Sequence, residues 1–393
     1  MARVRQRASN ILGKGKNYLR ACGEEAVGRS WESLSTDGGG RGRWSRNPLI
    51  SEKTVGLSNC QEFGNNRFMK RSPLYLVRTS GFFWSRIALA LVCCFGACGR
   101  VVGAASDALA GRWDLTIQDP KYGQMPSWLE LRSDGGSWRA SFVGRWGNAR
   151  PLSKVTVKGK QIEFVSPKQE EGSTNDLVFK GKLDGEVLRG SARGPNGAAW
   201  TWTGKRAPAL DPAPNVVWGR PIRLFNGRDF NGWSFDNPSK ASSWVVKDGC
   251  LVNQSAGSNI ATKEKFQDFK LHVEVNCPTN ANSGIYLRGR YEVQVEDDSI
   301  QEPPSHHMGA VYGFLAPTPE LPRLPGAWQT FDITLLGRQV TVVQNGQTII
   351  DRKEIPGITG GAIDSHEEMP GPIYFQGDHG GIAYRNIILI PVK

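Results

Sequence analysis

Three short segments between residues 269 and 298 alternate apolar and polar side chains with a period of two. They cover residues 270–276, 283–288 and 291–296, and a polar turn separates the first from the second. This period predicts β-strands that place one face on an apolar core and leave the other polar. A solvated face usually carries Lys, Thr, Ser and Glu, whereas the polar positions here include Glu274, Tyr286, Arg288, Glu292 and Gln294. Placed side by side on a concave sheet, these groups could bind a polyol by hydrogen bonds and transfer protons.

Residues 107–206 contain further short alternating runs, separated by Gly and Asp-Gly turns at roughly eight- to twelve-residue intervals. This spacing predicts an antiparallel meander that closes into a small β-barrel or a sandwich, and the barrel is the expected form. The segments GRWDL at its start and WTWTGKR at its end resemble lipocalin-like and avidin-like barrels. Its six tryptophans have two interpretations, either rings that fill the barrel core or exposed rings that stack on sugars.

A second β-domain is predicted over residues 222–393, after a Pro/Ala-rich linker at residues 207–221. Hairpin turns are expected at Asp248-Gly249 and Asn345-Gly346. The proline-rich stretch from 298 to 325 predicts a long loop, and such loops in compact domains are often functional. The chain shows no long amphipathic helix pattern, which excludes parallel α/β folds. The predicted fold class is therefore all-β.

Of the formal net charge of +12, the first hundred residues carry +11. They hold 17 Lys and Arg against 6 Asp and Glu, which leaves 32 basic and 31 acidic residues in the rest of the chain. A nearly neutral folded part lacks the basic surface that binds a polyanion. Nucleic acid is therefore not an expected partner.

The N-terminal region resembles a leader rather than a folded domain. Residues 1–68 are rich in Gly, Ser, Arg and Asn, and we expect them to be disordered or wrongly included. From Met69 onward, basic residues precede an apolar run at 87–97 and small residues at 104–105, the order found in secretory signals. Residues 69–105 are therefore predicted to be a signal peptide, which places the mature protein in the periplasm or outside the cell. The apolar run is too short to span a bilayer, so no integral membrane span is expected after signal removal.

Beyond the leader, only Cys250 and Cys277 remain. Two cysteines are too few for a disulfide framework, and their spacing is not that of a metal site. One disulfide and two separate buried thiols are both consistent with the sequence.

Five motifs follow one another near the C-terminus: NSGIYLR, YEVQVED, GAVYGF, W...DITLLG....V.QNG and GPIYFQGDHGGIAYRNI. Together with the opening segment LFNGRDFNGW, this series resembles the 3-keto-disaccharide hydrolase family over residues 222–392. The resemblance implies a concanavalin-like jelly-roll β-sandwich, similar to lectins and glucanases. It covers less than half of the chain.

The resemblance also implies a reaction. Its substrate would be a glycoside or oligosaccharide that already carries a ketone at carbon 3 of one sugar ring. The ketone acidifies the hydrogen on carbon 2, so a base can form an enolate, the group on carbon 1 can leave, and water can add. Such a site needs a base, an electrophile for the enolate oxygen and an acid for the leaving group. The expected activity is that of a glycosidase-like hydrolase or lyase acting on 3-keto-disaccharides or 3-keto-glucosides.

Candidate residues follow from the same motifs. Glu292 is the expected base or metal ligand, Arg288 the cation for the enolate, and His379 the acid or ligand. The expected substrate-binding residues are Glu274, Tyr286, Gln294, Gln376 and Tyr312. The ordinary alternative is that Glu292 and Arg288 form a cross-strand salt bridge.

Two other functions fit the same sequence. One is a non-catalytic, carbohydrate-binding module, because sandwiches of this kind also serve as lectins. The other is a conventional glycosidase that uses Glu274 and Glu292 as acid and base. No cofactor is a firm expectation, and a divalent cation such as Ca²⁺ stays an open alternative, with Asp248, Asp297 and Asp298 as candidate structural ligands that lack EF-hand spacing.

Overall fold

Antiparallel β-strands form nearly all the regular structure of residues 108–168, 173–297 and 301–393, the part of the chain that the computed structural model describes. These residues belong to one compact unit. The predicted leader at 1–68 and signal peptide at 69–105 lie outside the described residues. No helix in the described part of the chain has the length and apolar character needed to cross a membrane.

The first sheet is the predicted antiparallel meander. Its strands are β1 (Gly111–Asp119), β2 (Gly123–Asp134), β3 (Ser137–Val143), β4 (Arg150–Pro151), β5 (Val155–Lys158), β6 (Gln161–Ser166), β7 (Leu177–Asp184), β8 (Val187–Arg193) and β9 (Ala199–Arg206). Their order in the sheet is β4-β3-β2-β1-β9-β8-β7-β6-β5, and β3 also lies against β5. The sheet therefore curls into a small barrel.

Aromatic rings fill the barrel. Phe164 stacks on Phe179 with 4.8 Å between ring centroids. Trp113, Trp200 and Trp202 are buried in the same cluster. Of the two interpretations of the barrel tryptophans, these three therefore fill the core.

Strands β10 to β22 form a sandwich of two sheets. They are β10 (Ile222–Arg223), β11 (Trp233–Phe235), β12 (Trp244–Lys247), β13 (Cys250–Asn253), β14 (Ile260–Thr262), β15 (Phe269–Asn276), β16 (Asn282–Leu287), β17 (Tyr291–Glu296), β18 (Trp328–Leu336), β19 (Gln339–Gln344), β20 (Gln347–Glu354), β21 (Tyr374–Phe375) and β22 (Ile382–Pro391). One sheet has the order β12-β13-β22-β15-β18-β19-β20, with β10 also paired to β22, and the other has the order β11-β14-β21-β16-β17. Short 3₁₀ turns lie at Pro195–Gly197, Pro238–Ser243 and Pro304–His306. This architecture confirms the predicted all-β fold, a jelly-roll β-sandwich preceded by an antiparallel β-barrel.

The three segments that first indicated the sandwich do not share one sheet. Strand β15 lies between β22 and β18, whereas β16 and β17 pair in the five-stranded sheet. The apolar faces of both sheets meet in one core, where Val273 of β15 is buried together with Ile285 of β16 and Val293 of β17. The polar faces of β15 and of the β16–β17 hairpin therefore lie on opposite outer sides of the sandwich.

The barrel packs directly on the sandwich. Trp128 of β2 is buried in the sandwich core, edge-on to Phe314 with 5.3 Å between ring centroids. A Cβ at Gly357 would lie 2.2 Å from Trp128 Nε1, so only glycine allows this close approach. In the linker, the carbonyl of Leu210 accepts the backbone N–H of Arg338 at 2.9 Å. The linker is therefore held against the sandwich.

Cys250 and Cys277 are both buried, and no disulfide joins them in the described part of the chain. Of the two interpretations of Cys250 and Cys277, the structure has the separate thiols.

Candidate active site

A cleft of about 330 Å³ lies on the polar face of the five-stranded sheet. Residues from β16 and β17 form its floor, and the turn after β21 forms one wall. The proline-rich loop and a loop of the barrel complete it. The side chains that line the cleft include Trp146, Asn282, Tyr286, Glu292, Gln294, Glu296, Tyr312, Gln376, Asp378 and His379.

Six of the eight predicted site residues line this cleft: Glu292, His379, Tyr286, Gln294, Gln376 and Tyr312. Strands β21, β16 and β17 are neighbours in the sheet, so alternate residues of adjacent strands share its polar face. The alternation in the sequence therefore identified most of the cleft floor.

Arg288 does not line the cleft, which corrects its predicted role as the cation for the enolate. Arg288 and Gly289 have φ values of 53° and 66°, and the N–H of Arg290 donates to the carbonyl of Leu287 at 3.0 Å. This is a two-residue hairpin turn, which takes Arg288 out of the strand alternation. Its guanidinium is buried over the ring of Tyr291 and donates to the carbonyl of Gly337. Arg288 therefore holds the hairpin, and it forms no salt bridge with Glu292.

Glu274 is also absent from the cleft, contrary to its predicted role in substrate binding. It lies on β15, in the other sheet. Its carboxylate accepts hydrogen bonds from Arg385 Nε and Asn386 Nδ2, each at 2.6 Å. Glu274 and Glu292 therefore cannot act together as the acid and base of a conventional glycosidase.

Glu292 is a buried carboxyl group on the cleft floor, with 4% of its surface exposed. Burial is the main cause that raises its pKa to about 8, and the negative charges of Glu296 and Asp378 raise it further. A hydrogen bond with Tyr286 acts in the opposite direction. A carboxyl group with this pKa is a much stronger base than an ordinary glutamate, and it exchanges its proton near neutral pH.

Tyr286 connects Glu292 to the loop above it. Its hydroxyl donates to the carbonyl of Gly360 at 2.9 Å and is also within hydrogen-bonding reach of the Glu292 carboxyl. A hydroxyl has one proton, so it cannot donate to both acceptors at once. When Glu292 is protonated, its own O–H can donate to Tyr286, and the chain of hydrogen bonds is complete. Burial, first of all, raises the pKa of Tyr286 well above its usual value, so the phenol remains a donor.

His379 forms a pair with the preceding residue. Its Nδ1 lies 2.7 Å from Asp378 Oδ1, and about half of its side chain is exposed. This hydrogen bond is the main cause that raises the pKa of His379 above its usual value. Among the described side chains that line the cleft, His379 is the only one that can carry a positive charge.

Glu296 organises the far side of the cleft. Its Oε2 accepts hydrogen bonds from Asn282 Nδ2 and Gln294 Nε2, each at 2.6 Å. The amide oxygens of Gln294 and Gln376 are buried, and within the described part of the chain neither has a hydrogen-bond partner. Unpartnered buried acceptors are costly, so these two oxygens are suited to accept hydroxyl groups of a ligand.

The sequence did not single out Glu296, Asp378, Asn282 or Trp146 as site residues. Glu296 and Asp378 belong to the same motifs as Glu292 and His379. An acidic residue so near a predicted site residue was a signal that could have identified both. Trp146 comes from the barrel, and its place in the cleft depends on how the barrel docks. No sequence pattern reports that contact.

The described residues contain no group of three or more His, Cys, Asp or Glu side chains arranged to hold a metal ion. Of the candidate Ca²⁺ ligands, Asp298 lies outside the described residues. We therefore assign no step of a reaction to a divalent cation.

Residues 220–390 match the model of the 3-keto-alpha-glucoside-1,2-lyase-like domain. No curated protein matches the chain. A Parabacteroides distasonis protein named as a glycosyl hydrolase is 30% identical with a TM-score of 0.38, over 47% of this chain and 94% of that one. A second protein of the same organism, with the same kind of name, is 24% identical with a TM-score of 0.35, over 44% and 98%. A redesigned β-barrel is 17% identical with a TM-score of 0.22, over 26% and 96%.

Proposed function

The domain at residues 220–390 belongs to the 3-keto-alpha-glucoside-1,2-lyase-like family, and from this premise we propose that the protein cleaves 3-keto-glycosides. The family indicates a glycosidase-like protein, and the proposal adds the substrate class and the chemistry. A base removes the proton from carbon 2, and the electron pair forms an enolate with the ketone at carbon 3. The enolate then restores the ketone and expels the oxygen on carbon 1, which leaves a double bond between carbons 1 and 2. Water adds across that bond, so the products are a 3-keto sugar and an alcohol.

Glu292 is the proposed base. The observation that carries this role is its position, fully buried in a polar cleft, with a pKa of about 8. A base is most useful when its pKa lies near the working pH, because it is then both strong and available in its ionised form. The neighbouring ketone lowers the pKa of the hydrogen on carbon 2, so a carboxylate with a raised pKa can remove it.

His379 is the proposed acid for the leaving oxygen. Its hydrogen bond to Asp378 favours the imidazolium form, which has a proton to give. Its half-exposed side chain lies at the cleft wall, where a departing alcohol would reach solvent.

Phenol groups are the proposed donors to the enolate oxygen, since Arg288 lies elsewhere. Tyr286, Tyr312 and Tyr374 all line the cleft. Burial is the main cause that raises the pKa of Tyr286 and of Tyr374, so both keep their protons at neutral pH. A neutral donor placed where negative charge develops stabilises the transition state without a fixed cation.

The test compares a 3-keto-glucoside with its unoxidised parent, with and without a chelator, and measures released aglycone. The proposal predicts release from the keto form alone. Release from the parent glucoside would instead indicate a conventional glycosidase. Saturable binding with no release from either compound would favour the carbohydrate-binding module.

We also propose that the protein is exported, on the sequence of residues 69–105. N-terminal sequencing of the protein purified from its native host tests this. A mature start near residues 104–106, in the periplasmic or extracellular fraction, is the expected result, and an N-terminus at residue 1 in the cytoplasm would contradict it.

A further inference from the structure

A second cavity, of about 580 Å³, lies at the barrel beside the candidate active site. Trp146 lines both the cleft and this cavity, so its indole stands where the two meet. Tyr122, Arg145 and Trp200 also line the cavity. Its volume is within the range of about 300 to 1,000 Å³ that is typical of small-molecule sites.

Two exposed aromatic rings face this cavity. Tyr122 is 54% exposed and Trp146 is 50% exposed, in contrast to the buried tryptophans of the barrel core. The guanidinium of Arg145 lies 4.3 Å from the ring centroid of Tyr122 and 4.4 Å from that of Trp146. This cation is therefore held between the rings and fixes their relative position. The sugar-stacking interpretation of the barrel tryptophans applies to Trp146.

Asp119 holds the turn that carries Tyr122. Its Oδ1 accepts the backbone N–H groups of Lys121 and Tyr122, each at 2.7 Å. Its Oδ2 accepts the indole N–H of Trp200, which is buried in the barrel core. The turn is thus tied to the core, and the ring of Tyr122 is positioned before any ligand binds.

The loop that carries Trp146 is docked on the sandwich through glycines. A Cβ at Gly360 would lie 2.0 Å from the carbonyl oxygen of Gly147, and one at Gly313 would lie 2.6 Å from Asn148 Cβ. The N–H of Gly361 donates to the carbonyl of Arg145 at 3.1 Å. Side chains at these glycines would displace the loop. The glycines of the sandwich therefore allow the loop to pack at the edge of the cleft.

From this arrangement we propose that the barrel cavity is a subsite for the sugar ring attached at carbon 1, the leaving group of the reaction in the cleft. The proposal rests on the proposed function, because it takes the cleft as the place of bond cleavage. The apolar face of a pyranose ring would stack on the faces of Trp146 and Tyr122 that Arg145 leaves open, and its hydroxyl oxygens would accept hydrogen bonds from Arg145 and from Lys121, whose ammonium lies 4.8 Å from the ring centroid of Tyr122. The preferred substrates are then 3-keto-disaccharides or longer 3-keto-oligosaccharides, rather than glycosides with a small aglycone.

The test uses the full chain and two substrates, methyl 3-keto-glucoside and a 3-keto-disaccharide whose leaving group is a second glucose. We expect Tyr122→Ala and Trp146→Ala each to lower the ratio of kcat/KM for the disaccharide to kcat/KM for the methyl glycoside by about tenfold, the loss of one aromatic stacking contact. Val178→Ala is the matched control, because Val178 is an exposed apolar residue of the barrel that lines neither cavity. It should leave the ratio unchanged.

Equilibrium binding separates this proposal from the proposed function. Calorimetric titration with the unoxidised disaccharide and with methyl glucoside measures the subsite without turnover. Tyr122→Ala should weaken disaccharide binding about tenfold more than methyl glucoside binding. If the wild-type protein cleaves neither keto substrate but this difference appears, the cavity binds a sugar ring, and the proposed function fails together with the leaving-group role.

Three results would overturn the subsite. The first is that Tyr122→Ala and Trp146→Ala both keep the wild-type ratio of kcat/KM values and the wild-type affinity for the disaccharide. The second is an equal loss on both substrates at an unchanged melting temperature, which would place the damage in the cleft alone. The third concerns phenyl 3-keto-glucoside. If Tyr122→Ala lowers kcat/KM for this substrate as strongly as for the disaccharide, the cavity binds planar groups in general rather than a sugar ring.

Discussion

The carboxyl group of Glu292 lies across the backbone of Gly284 on the neighbouring strand. A Cβ at Gly284 would be 2.1 Å from Glu292 Oε1 and 2.8 Å from its Cδ. The register partner of Glu292 is Tyr286, so the carboxyl reaches diagonally over the space that the glycine leaves. A strand position without a side chain therefore determines where the proposed base points.

Gly284→Ala should reduce kcat by about tenfold to a hundredfold, because the added methyl displaces the carboxyl from its working position. Steady-state kinetics on a 3-keto-glucoside measure the effect, and a thermal melt checks the fold. In the double variant with Glu292→Gln, the alanine should cause no further loss, since its effect acts through the missing carboxylate. Independent, additive losses would show that Gly284 matters for another reason.

Asp378 should set the pH optimum of the reaction. Besides burial and Glu296, its charge raises the pKa of Glu292, and its hydrogen bond raises the pKa of His379. Activity requires Glu292 without its proton and His379 with its proton, so the profile of kcat/KM against pH is bell-shaped. Asp378→Asn lowers both pKa values, and the whole profile should move to lower pH. An unchanged profile, or a shift to higher pH, would contradict this coupling.

Asp114 makes stability depend on pH at the barrel–sandwich interface. Burial, followed by the negative charge of Glu367, raises its pKa to about 8 in the folded protein. The unfolded chain has an ordinary aspartate, so the folded state holds more protons between about pH 4 and 8. This contribution to stability is complete below about pH 4, falls steadily as the pH rises from about 4 to 8, and is gone above about pH 8.

Asp114→Asn should therefore raise the melting temperature most at pH 9 relative to the wild type, less at pH 6, and least near pH 4. The amide keeps the shape of the neutral acid but cannot ionise. Asp184→Asn removes a carboxylate from the exposed barrel surface and is the matched control. A variant that is destabilised at pH 9 would show that the ionised carboxylate holds the interface.

Trp128→Ala should destabilise the whole chain rather than the barrel alone. The ring is buried in the sandwich core although it belongs to a barrel strand, and its loss should cost about 3–5 kcal/mol. Calorimetry should show one transition, at lower temperature. Trp138→Ala, at a partly buried barrel ring, should cost less. Two separate transitions, or proteolysis that first cuts the linker at 211–215 and leaves two stable pieces, would show that the two β-domains are independent.

The strands could be predicted because their signals are local. Alternation identified β1 and β15 to β17, and the Asn345-Gly346 hairpin forms with φ values of 50° and 79°. The same alternation failed at Arg288, where a tight turn interrupts the strand. It also could not reveal that β15 belongs to the other sheet, because strand pairing is a long-range property. Glu274 was misplaced for that reason.

The cleft was predicted only in part, because one wall comes from elsewhere in the chain. Trp146 reaches the cleft because the next residues of its loop, Gly147 and Asn148, lie against Gly360 and Gly313, which are more than a hundred residues away in the sequence. The raised pKa of Glu292 likewise depends first on burial. Burial of a polar strand face follows from the docking of the barrel and loops, which the pattern of a single strand does not encode.

The most direct test is turnover of a 3-keto-glucoside by Glu292→Gln in the full chain. Glutamine keeps the size and hydrogen bonding of the side chain but cannot take the proton from carbon 2. The expected loss in kcat is about a hundredfold to ten-thousandfold, with substrate binding and melting temperature close to those of the wild type. Wild-type turnover by the glutamine variant would contradict the assignment of Glu292 as the base.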